Sequence, residues 1–326
     1  MQYNHRWTQI NTDKHCSKRR FSIAGICSPD SDLKQGEAEP EFSPQNLCSS
    51  VFICGSLALA SVLLAFALCS APAAPGAQTN PAAPPVQIPV KAKLHLYLLM
   101  GQSNMAGRGK LAAEDQTPHP RVLIFTLANQ WEPALEPVTH DKPTMLGVGP
   151  GLAFGKAMAA HDPGVTIGLV PCAVGGTPLK RWQQGGDLYS NAVHRAQLAM
   201  RDGTLQGILW HQGESDSGTI TNANSYGDRL AQMIQDIRAD LACPDLPFVV
   251  GQIGEFLYDR GPDHSPYARV VNAALAALPG KVPVTACASS KDLKHKGDQL
   301  HFDAASQREL GRRYAAEMLR LQSAPR

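Results

Sequence analysis

Net charge is nearly absent: 30 lysines and arginines stand against 28 aspartates and glutamates, which leaves +2 over 326 residues. Phosphate binding needs a concentrated basic face, so this balance gives no reason to expect a nucleic-acid partner. Cysteine pairs in the CxxC spacing of zinc sites are missing. Neither GxGxxG nor GxxxxGK[ST] follows a candidate strand, which excludes the common dinucleotide and phosphate cradles. No internal repeat occurs. No metal and no cofactor is expected.

Eight cysteines are present, but Cys16, Cys27, Cys48, Cys54 and Cys69 all precede residue 90. Cys172, Cys243 and Cys287 remain, enough for at most one intrachain bridge. Cys172 and Cys287 sit inside apolar runs and read as buried thiols.

A hydrophobic content of 43% is enough for a substantial core, and its distribution divides the chain. Residues 1–50 read as a poorly ordered leader, or as the product of a misassigned start. Residues 51–68 carry no charge, and Ala71-Pro72-Ala73 offers small residues at signal-peptidase spacing. The segment 51–73 is therefore expected to be a signal peptide cleaved near Ala73. The alternative is a single membrane anchor with the rest of the chain outside, which the length of the leader and the placement of Glu37, Glu39 and Glu41 keep open. Lipidation of Cys69 is the weaker reading, because Leu68 stands where a small residue belongs. The Ala/Pro-rich stretch 74–92 reads as a linker, and 93–326 as one globular domain. A secreted, periplasmic or envelope location follows.

From residue 93 short apolar runs alternate with helical patterns. Residues 94–100, 122–126, 166–173, 207–211, 248–253 and 284–288 read as strands. Residues 152–161, 191–202, 224–241, 267–278 and 304–321 carry apolar side chains at three- and four-residue spacing. Such alternation implies an α/β domain, a mostly parallel sheet covered on both faces in three layers. Ligands then sit beyond the carboxyl ends of the strands.

Four segments place chemistry there. The first strand runs into Gly101-Gln102-Ser103-Asn104, with Ser103 at the strand-to-loop corner. Ser103 is a candidate nucleophile or a helix cap, and Met105 in the final glycine position means the run is not GxSxG. A serine nucleophile needs a base, and Asp298 and His301, three apart, can share one turn. Asp303 looks like the N-cap of the last helix, which frees Asp298. Gly175-Gly176-Thr177 and His211-Gln212-Gly213-Glu214 follow two further strands and offer donors for an oxyanion. His211 is the rival base, whereas His95 within the first strand reads as structural.

The segments GQSNMAG, PCAVGGTPLKRW, WHQGESD and GDQLHFD, in this order, resemble the SGNH-type carbohydrate esterases of the sialate O-acetylesterase and acetyl xylan esterase group, related to carbohydrate esterase family six. The likeness spans roughly residues 94–321. It implies a flavodoxin-like α/β/α fold and a triad of Ser103, His301 and Asp298. It also implies an oxyanion hole from the Ser103 N–H, the Gly175-Gly176 turn and the Gln212 side chain, where the wider class has an asparagine. Glu214 is expected to order its loop. Gln102 and Asn104 beside the serine, together with Arg181 and Trp182, are expected to support the site or touch substrate. Trp131, in the loop after the second strand, is a further candidate sugar contact.

The activity implied is removal of O-acetyl groups from a carbohydrate such as acetylated xylan, sialic acid or a related glycan, through an acetyl-enzyme. Two alternatives stay open: a short-chain lipid or aryl esterase with the same triad, and a carbohydrate-binding module that has lost catalysis. The expected partner is the acetylated carbohydrate, with membrane contact only through an N-terminal anchor.

Overall fold

The computed structural model describes residues 86–324 apart from residue 262. The leader, the apolar segment 51–73 and the linker up to residue 85 lie outside the described residues. Among the described residues no helix is long and apolar enough to cross a membrane.

Seven strands form one sheet: β1 (Leu94–Gly101), β2 (Val122–Phe125), β3 (Trp131–Pro133), β4 (Thr166–Pro171), β5 (Thr204–His211), β6 (Phe248–Gly251) and β7 (Thr285–Ala288). Their order is β3-β2-β4-β1-β5-β6-β7, and all neighbours are parallel except the antiparallel β2–β3 pair. The strand β1 lies inside the sheet and alternates its side chains between two cores. Leu94, Leu96, Leu98 and Met100 face one layer, and Tyr97 and Leu99 the other.

The first layer consists of α3 (Asp187–Ala199), α4 (Ile220–Asp240) and α5 (Ala268–Ala277), and the second of α2 (Pro150–His161) and α6 (Ala304–Ser323). Each buried Leu or Ile side chain in these layers contributes on the order of 1.5–3 kcal/mol. This is the expected three-layer α/β/α architecture. One detail differs from the flavodoxin order, in which β1 would neighbour β2 directly: here β4 lies between them. The chain after β1 builds one half of the sheet and the chain after β4 the other, so the switch point lies at β1, between β4 and β5.

One strand and the starts of two helices escaped the sequence pattern. The edge strand β3 has three residues, too short to show alternation, and Trp131 belongs to it rather than to a loop. Helices α3 and α4 each begin four residues before the span read from sequence; the first turn of α4 is exposed apart from Ala223, whereas that of α3 already buries Leu188 and Tyr189. The start of α4 is set by Thr219, whose hydroxyl accepts from Asn222 N. Cys172, Cys243 and Cys287 are all free thiols.

The end of β6 meets α6 at Gly251, where a Cβ would collide with the Tyr314 hydroxyl and crowd His211 Nδ1. That hydroxyl donates to Trp210 O at 2.7 Å and lies 3.0 Å from His211 Nδ1, pinning α6 to the end of β5. Gly251→Ala is therefore expected to lower the unfolding free energy in urea by about 1–3 kcal/mol, as overpacking of a filled core does. A neutral effect would show that the Tyr314 contact is not a tight one.

Candidate active site

Three of the four motifs meet because the loops continue the sheet's register. Beyond β4, Cys172 N bonds Leu99 O and Val174 N bonds Gly101 O, which carries Gly175 to the end of β1. On the other side Gly101 pairs with His211, and Gln102 N donates to His211 O at 2.8 Å. Gly101 has φ +128°, and a Cβ on it would run into the His211 carbonyl, so glycine alone permits this approach. The chain then turns into the short helix α1 (Ser103–Ala106), with Ser103 at its first position. An N–H at that position has no intrahelical acceptor, and no other acceptor for it lies among the described residues.

The fourth motif arrives from the loop between β7 and α6. That loop is held by a bridge between His295 and Phe302 and by Lys296 N donating to His301 O. Asp303 caps α6, its Oδ1 accepting from Ser306 N at 2.7 Å. Asp298 Oδ1 accepts from Leu300 N at 2.9 Å and His301 N at 2.8 Å, while its Oδ2 lies 2.7 Å from His301 Nδ1. His301 Nε2 stands 3.0 Å from Ser103 Oγ. With Nδ1–H donating to the carboxylate, Nε2 carries the lone pair that receives the serine proton. Burial tends to raise the Asp298 pKa, but bonds from the His301 backbone and ring and from Leu300 N outweigh it and hold it at about 2. His301 is lowered from its ordinary 6.5, chiefly by burial, with Asp298 opposing.

Asn104 joins this loop to the serine. Its Nδ2 donates to Glu214 Oε1 at 2.6 Å and to Leu300 O at 3.1 Å, and its Oδ1 accepts from Phe302 N at 3.1 Å and Gln307 Nε2 at 3.3 Å. The residues on both sides of His301 are thereby tied to the residue after Ser103. Glu214 is buried, which pushes its carboxyl up to about 7 against the bond from Asn104, and its Oε2 has no partner among the described residues.

Other candidates fall elsewhere. His211 is fully buried and burial drives its pKa down to about 3. Its Nδ1 meets Tyr314, its Nε2 lies 3.9 Å from Glu214 Oε1, and neither nitrogen touches Ser103. His95 sits at the opposite end of β1 from Ser103. The Gln212 side chain corrects its expected role as an oxyanion donor. Its Nε2 already donates to Asp216 Oδ2 at 2.7 Å and Thr177 O at 3.1 Å, with Gln102 Oε1 at 3.2 Å, and Tyr226 supplies its Oε1 with a donor at 2.9 Å. An amide turned the other way would set its oxygen against the Asp216 carboxylate.

Gly175 reaches Ser103, but its N–H donates to Asp141 Oδ2 at 2.8 Å, so it is not an open donor either. Gly176, at φ +74°, has an N–H without an acceptor among the described residues. Trp182 is 0% exposed, bonds Thr177 Oγ1 at 3.0 Å and packs edge-on to Trp210, so it supports the glycine turn and presents no face to a sugar. Trp131 is likewise buried, with its Nε1 on Asp202. Arg181 is a surface residue paired with Asp187.

Sequence reasoning missed Arg108, Asp141 and Lys142. Asp141 accepts from buried Arg108 at 2.8 Å as well as from Gly175, and Lys142 Nζ donates to Gly175 O at 2.9 Å, so the three clamp the turn beside Ser103. Arg108 stands directly after the first motif and could have been found there, whereas Asp141 lies in a loop without periodicity. Beside Asp141, at the ends of β2 and β4, opens a cavity of about 320 Å³ whose lining includes Asn129, His140, Asn191, His194 and Arg195. Among the described residues no group of three His, Cys, Asp or Glu side chains is arranged to hold a metal ion.

Removing the Asn104 amide would leave Glu214 Oε1, Leu300 O and Phe302 N short of partners in a buried place. Asn104→Ala is expected to cost about 2–3 kcal/mol of stability in urea denaturation, as buried polar groups stripped of their partners do. A loss below about 0.5 kcal/mol would mean that the bridge does not hold the loop.

Residues 93–320 match the family described as carbohydrate esterase, sialic acid-specific acetylesterase. A probable carbohydrate esterase of Arabidopsis thaliana is 34% identical over 247 residues, which cover 70% of this chain and 91% of that protein. An X-ray structure of an Arabidopsis thaliana protein superposes with a TM-score of 0.63 at 33% identity, covering 69% of this chain and 98% of that one. NanS, at 18% identity and a TM-score of 0.61 over 72% of this chain and 99% of its own, shares the fold. So does a carbohydrate acetylesterase from Xanthomonas citri, at 21% identity and a TM-score of 0.53, over 68% of this chain and 55% of that one. The chain belongs to the carbohydrate esterase, sialic acid-specific acetylesterase family.

Proposed function

We propose that the protein is a serine esterase that removes O-acetyl groups from a carbohydrate by way of an acetyl-enzyme on Ser103. The observation that carries this reading is the continuous hydrogen-bonded chain from Ser103 Oγ through His301 to Asp298. In the first half-reaction Ser103 Oγ attacks the acetyl carbonyl while His301 Nε2 takes the serine proton. Asp298, whose carboxyl is held below its ordinary range by the bonds from His301 and Leu300, is ionised at neutral pH and stabilises the imidazolium. Collapse of the tetrahedral intermediate breaks the bond to the sugar oxygen, which leaves with the proton from His301. In the second half-reaction water attacks the acetyl carbonyl and gives a proton to Nε2, which passes it to Ser103 Oγ as the acyl–oxygen bond breaks; free Ser103 is restored and the acetic acid released ionises to acetate.

The free N–H groups of Ser103 and Gly176 are suited to hold the oxyanion. The cavity beside Asp141, next to the glycine turn, is lined by the amides of Asn129 and Asn191 and the imidazoles of His140 and His194, a polar lining that suits hydroxyl groups better than an acyl chain. Family membership supports the carbohydrate. The intact proton path, with no member missing, argues against a module that only binds.

The test is hydrolysis of p-nitrophenyl acetate by the full chain and its variants. Ser103→Ala and His301→Ala are expected to lower kcat by about 10⁴-fold or more, whereas His211→Ala, which has no contact with the serine, keeps turnover within about tenfold. Turnover surviving in Ser103→Ala would overturn the serine mechanism. Substrate class is read from acetate release across acetylated xylan, O-acetylated sialic acids and simple acetylated sugars against short-chain lipid esters. Preference for the lipid esters would overturn the carbohydrate reading.

The pH profile gives a second check. His301 must be neutral to accept the proton, and its folded pKa is lowered. The acid limb of kcat/KM should therefore have its midpoint below 6.5, with activity present above it and lost as pH falls through it. A midpoint above 6.5 would contradict the burial of His301.

A further inference from the structure

Glu214 is a buried carboxyl that the proton path from Ser103 to Asp298 does not use. Its Oε1 accepts from Asn104 Nδ2 at 2.6 Å, and its Oε2 has no partner among the described residues. Across from it stands His211, whose state follows from its hydrogen bonds. Tyr314 has one hydroxyl proton and gives it to Trp210 O at 2.7 Å, so its oxygen must accept from His211 Nδ1 at 3.0 Å. Burial holds His211 neutral, with a pKa of about 3, and it is therefore the Nδ1–H tautomer. Its Nε2 carries a bare lone pair, buried and without a partner among the described residues, 3.9 Å from Glu214 Oε1. An ionised Glu214 would set two acceptors against each other with no donor between them. A carboxylic acid brings the proton that this place lacks.

No counter-charge offsets an ionised Glu214, which pairs with no lysine or arginine among the described residues. The ionisable groups within reach of its charge are His211 on β5, Tyr226 on α4, Tyr314 on α6 and Asp216 on its own loop. His211 is neutral, and burial keeps both phenols neutral as well. Asp216 is the one charged member and it is negative, its charge met by Arg229 at 2.9 Å on the side of α4. Burial, aided by Asp216, accordingly holds the Glu214 carboxyl at about 7 against the bond from Asn104. We propose that Glu214 works as a neutral carboxylic acid, and that its ionisation switches off acylation of Ser103 by placing a negative charge one side chain away from the oxyanion. Asn104 makes that link, since it follows Ser103 and gives one amide proton to Glu214 Oε1 and the other to Leu300 O beside His301. The neutral acid keeps Oε1 as the acceptor that positions Asn104 and adds no charge. An ionised one opposes the charge that must develop on the substrate, in a buried place where like charges repel more strongly than in water. The proposal rests on the serine-esterase reading above.

The test is the pH profile of kcat/KM for p-nitrophenyl acetate with the full chain, background hydrolysis being subtracted with Ser103→Ala. Between about pH 6.5 and 9 the parent should lose activity by about tenfold or more, as Glu214 gives up its proton. Glu214→Gln keeps an oxygen for Asn104, presents N–H in place of the acid proton and cannot ionise. It should match the parent at about pH 6.5 to within about threefold and stay level up to about pH 9. Glu214→Met, uncharged and of similar volume, stands in should the amide disturb folding. Having no acceptor for Asn104, it should be less active throughout but equally level, and thermal melting over the same pH range checks that each protein is folded. The infrared difference between parent and Glu214→Gln should contain the C=O band of a protonated carboxyl that fades as pH rises, a signature that a merely structural role would not produce. A parent without the alkaline loss, a folded variant that loses activity in parallel with it, a folded Glu214→Gln more than about tenfold less active at every pH, or absence of the band overturns the proposal. Turnover surviving in Ser103→Ala would overturn the esterase reading and the effect on acylation with it, while the infrared band still reports the proton on Glu214, so the two failures are distinguishable.

Discussion

Everything at the candidate site depends on one amide holding together two loops that are far apart in the chain. Asn104 follows Ser103, and through its own side chain it grips Leu300 O and Phe302 N on either side of His301, with Glu214 and Gln307 completing its valences. A hydrogen bond of 3.0 Å between Ser103 and His301 can be kept only if these loops do not drift. The sheet alone does not secure this. Ser103 is carried by β1, but His301 sits on the long loop between β7 and α6, three strands away. Asn104 converts that distance into a fixed contact, and Tyr314 and Gly251 secure the same region from below by fastening α6 to the end of β5.

The polar groups around the serine divide into those already satisfied and those left open, and this division gives the site its direction. Asp141, Arg108 and Lys142 saturate the glycine turn on the β4 side. On the β5 side, Asp216, Tyr226 and Gln212 saturate one another. Within this scaffold the Ser103 and Gly176 N–H groups have no acceptor among the described residues. A buried site that leaves donors unmatched beside a nucleophile is prepared for negative charge that appears only during reaction.

Much of the architecture was legible in the sequence because hydrophobic periodicity reports which face a strand or helix buries. The β1 run, the last helix and the positions of Ser103, Asp298 and His301 at loop ends could all be read that way, since strands and helices of ordinary length carry their own pattern. The three residues of β3 carried none, and Trp131 was taken for a loop residue as a result. Donor assignments failed for a different reason. Residue type says that Gln212 has an amide, but only three-dimensional contacts reveal that Asp216, Thr177 and Gln102 consume it. Aromatic side chains misled in the same way. Trp182 follows the glycine motif as a sugar contact would, yet its indole fills the space under the turn. Asp141 gave no signal at all, because its role is created by Gly175 and Arg108 meeting it in space.

The most direct test of the central claim, that Ser103 is the atom on which the acyl group is carried, is rapid-quench trapping during turnover of an acetyl ester followed by peptide mass mapping. The account predicts an acetyl adduct on Ser103, formed during turnover and preserved when an acid quench protonates His301 and stops deacylation. A peptide containing Ser103 that stays unmodified throughout turnover, or an adduct on another residue, would contradict it.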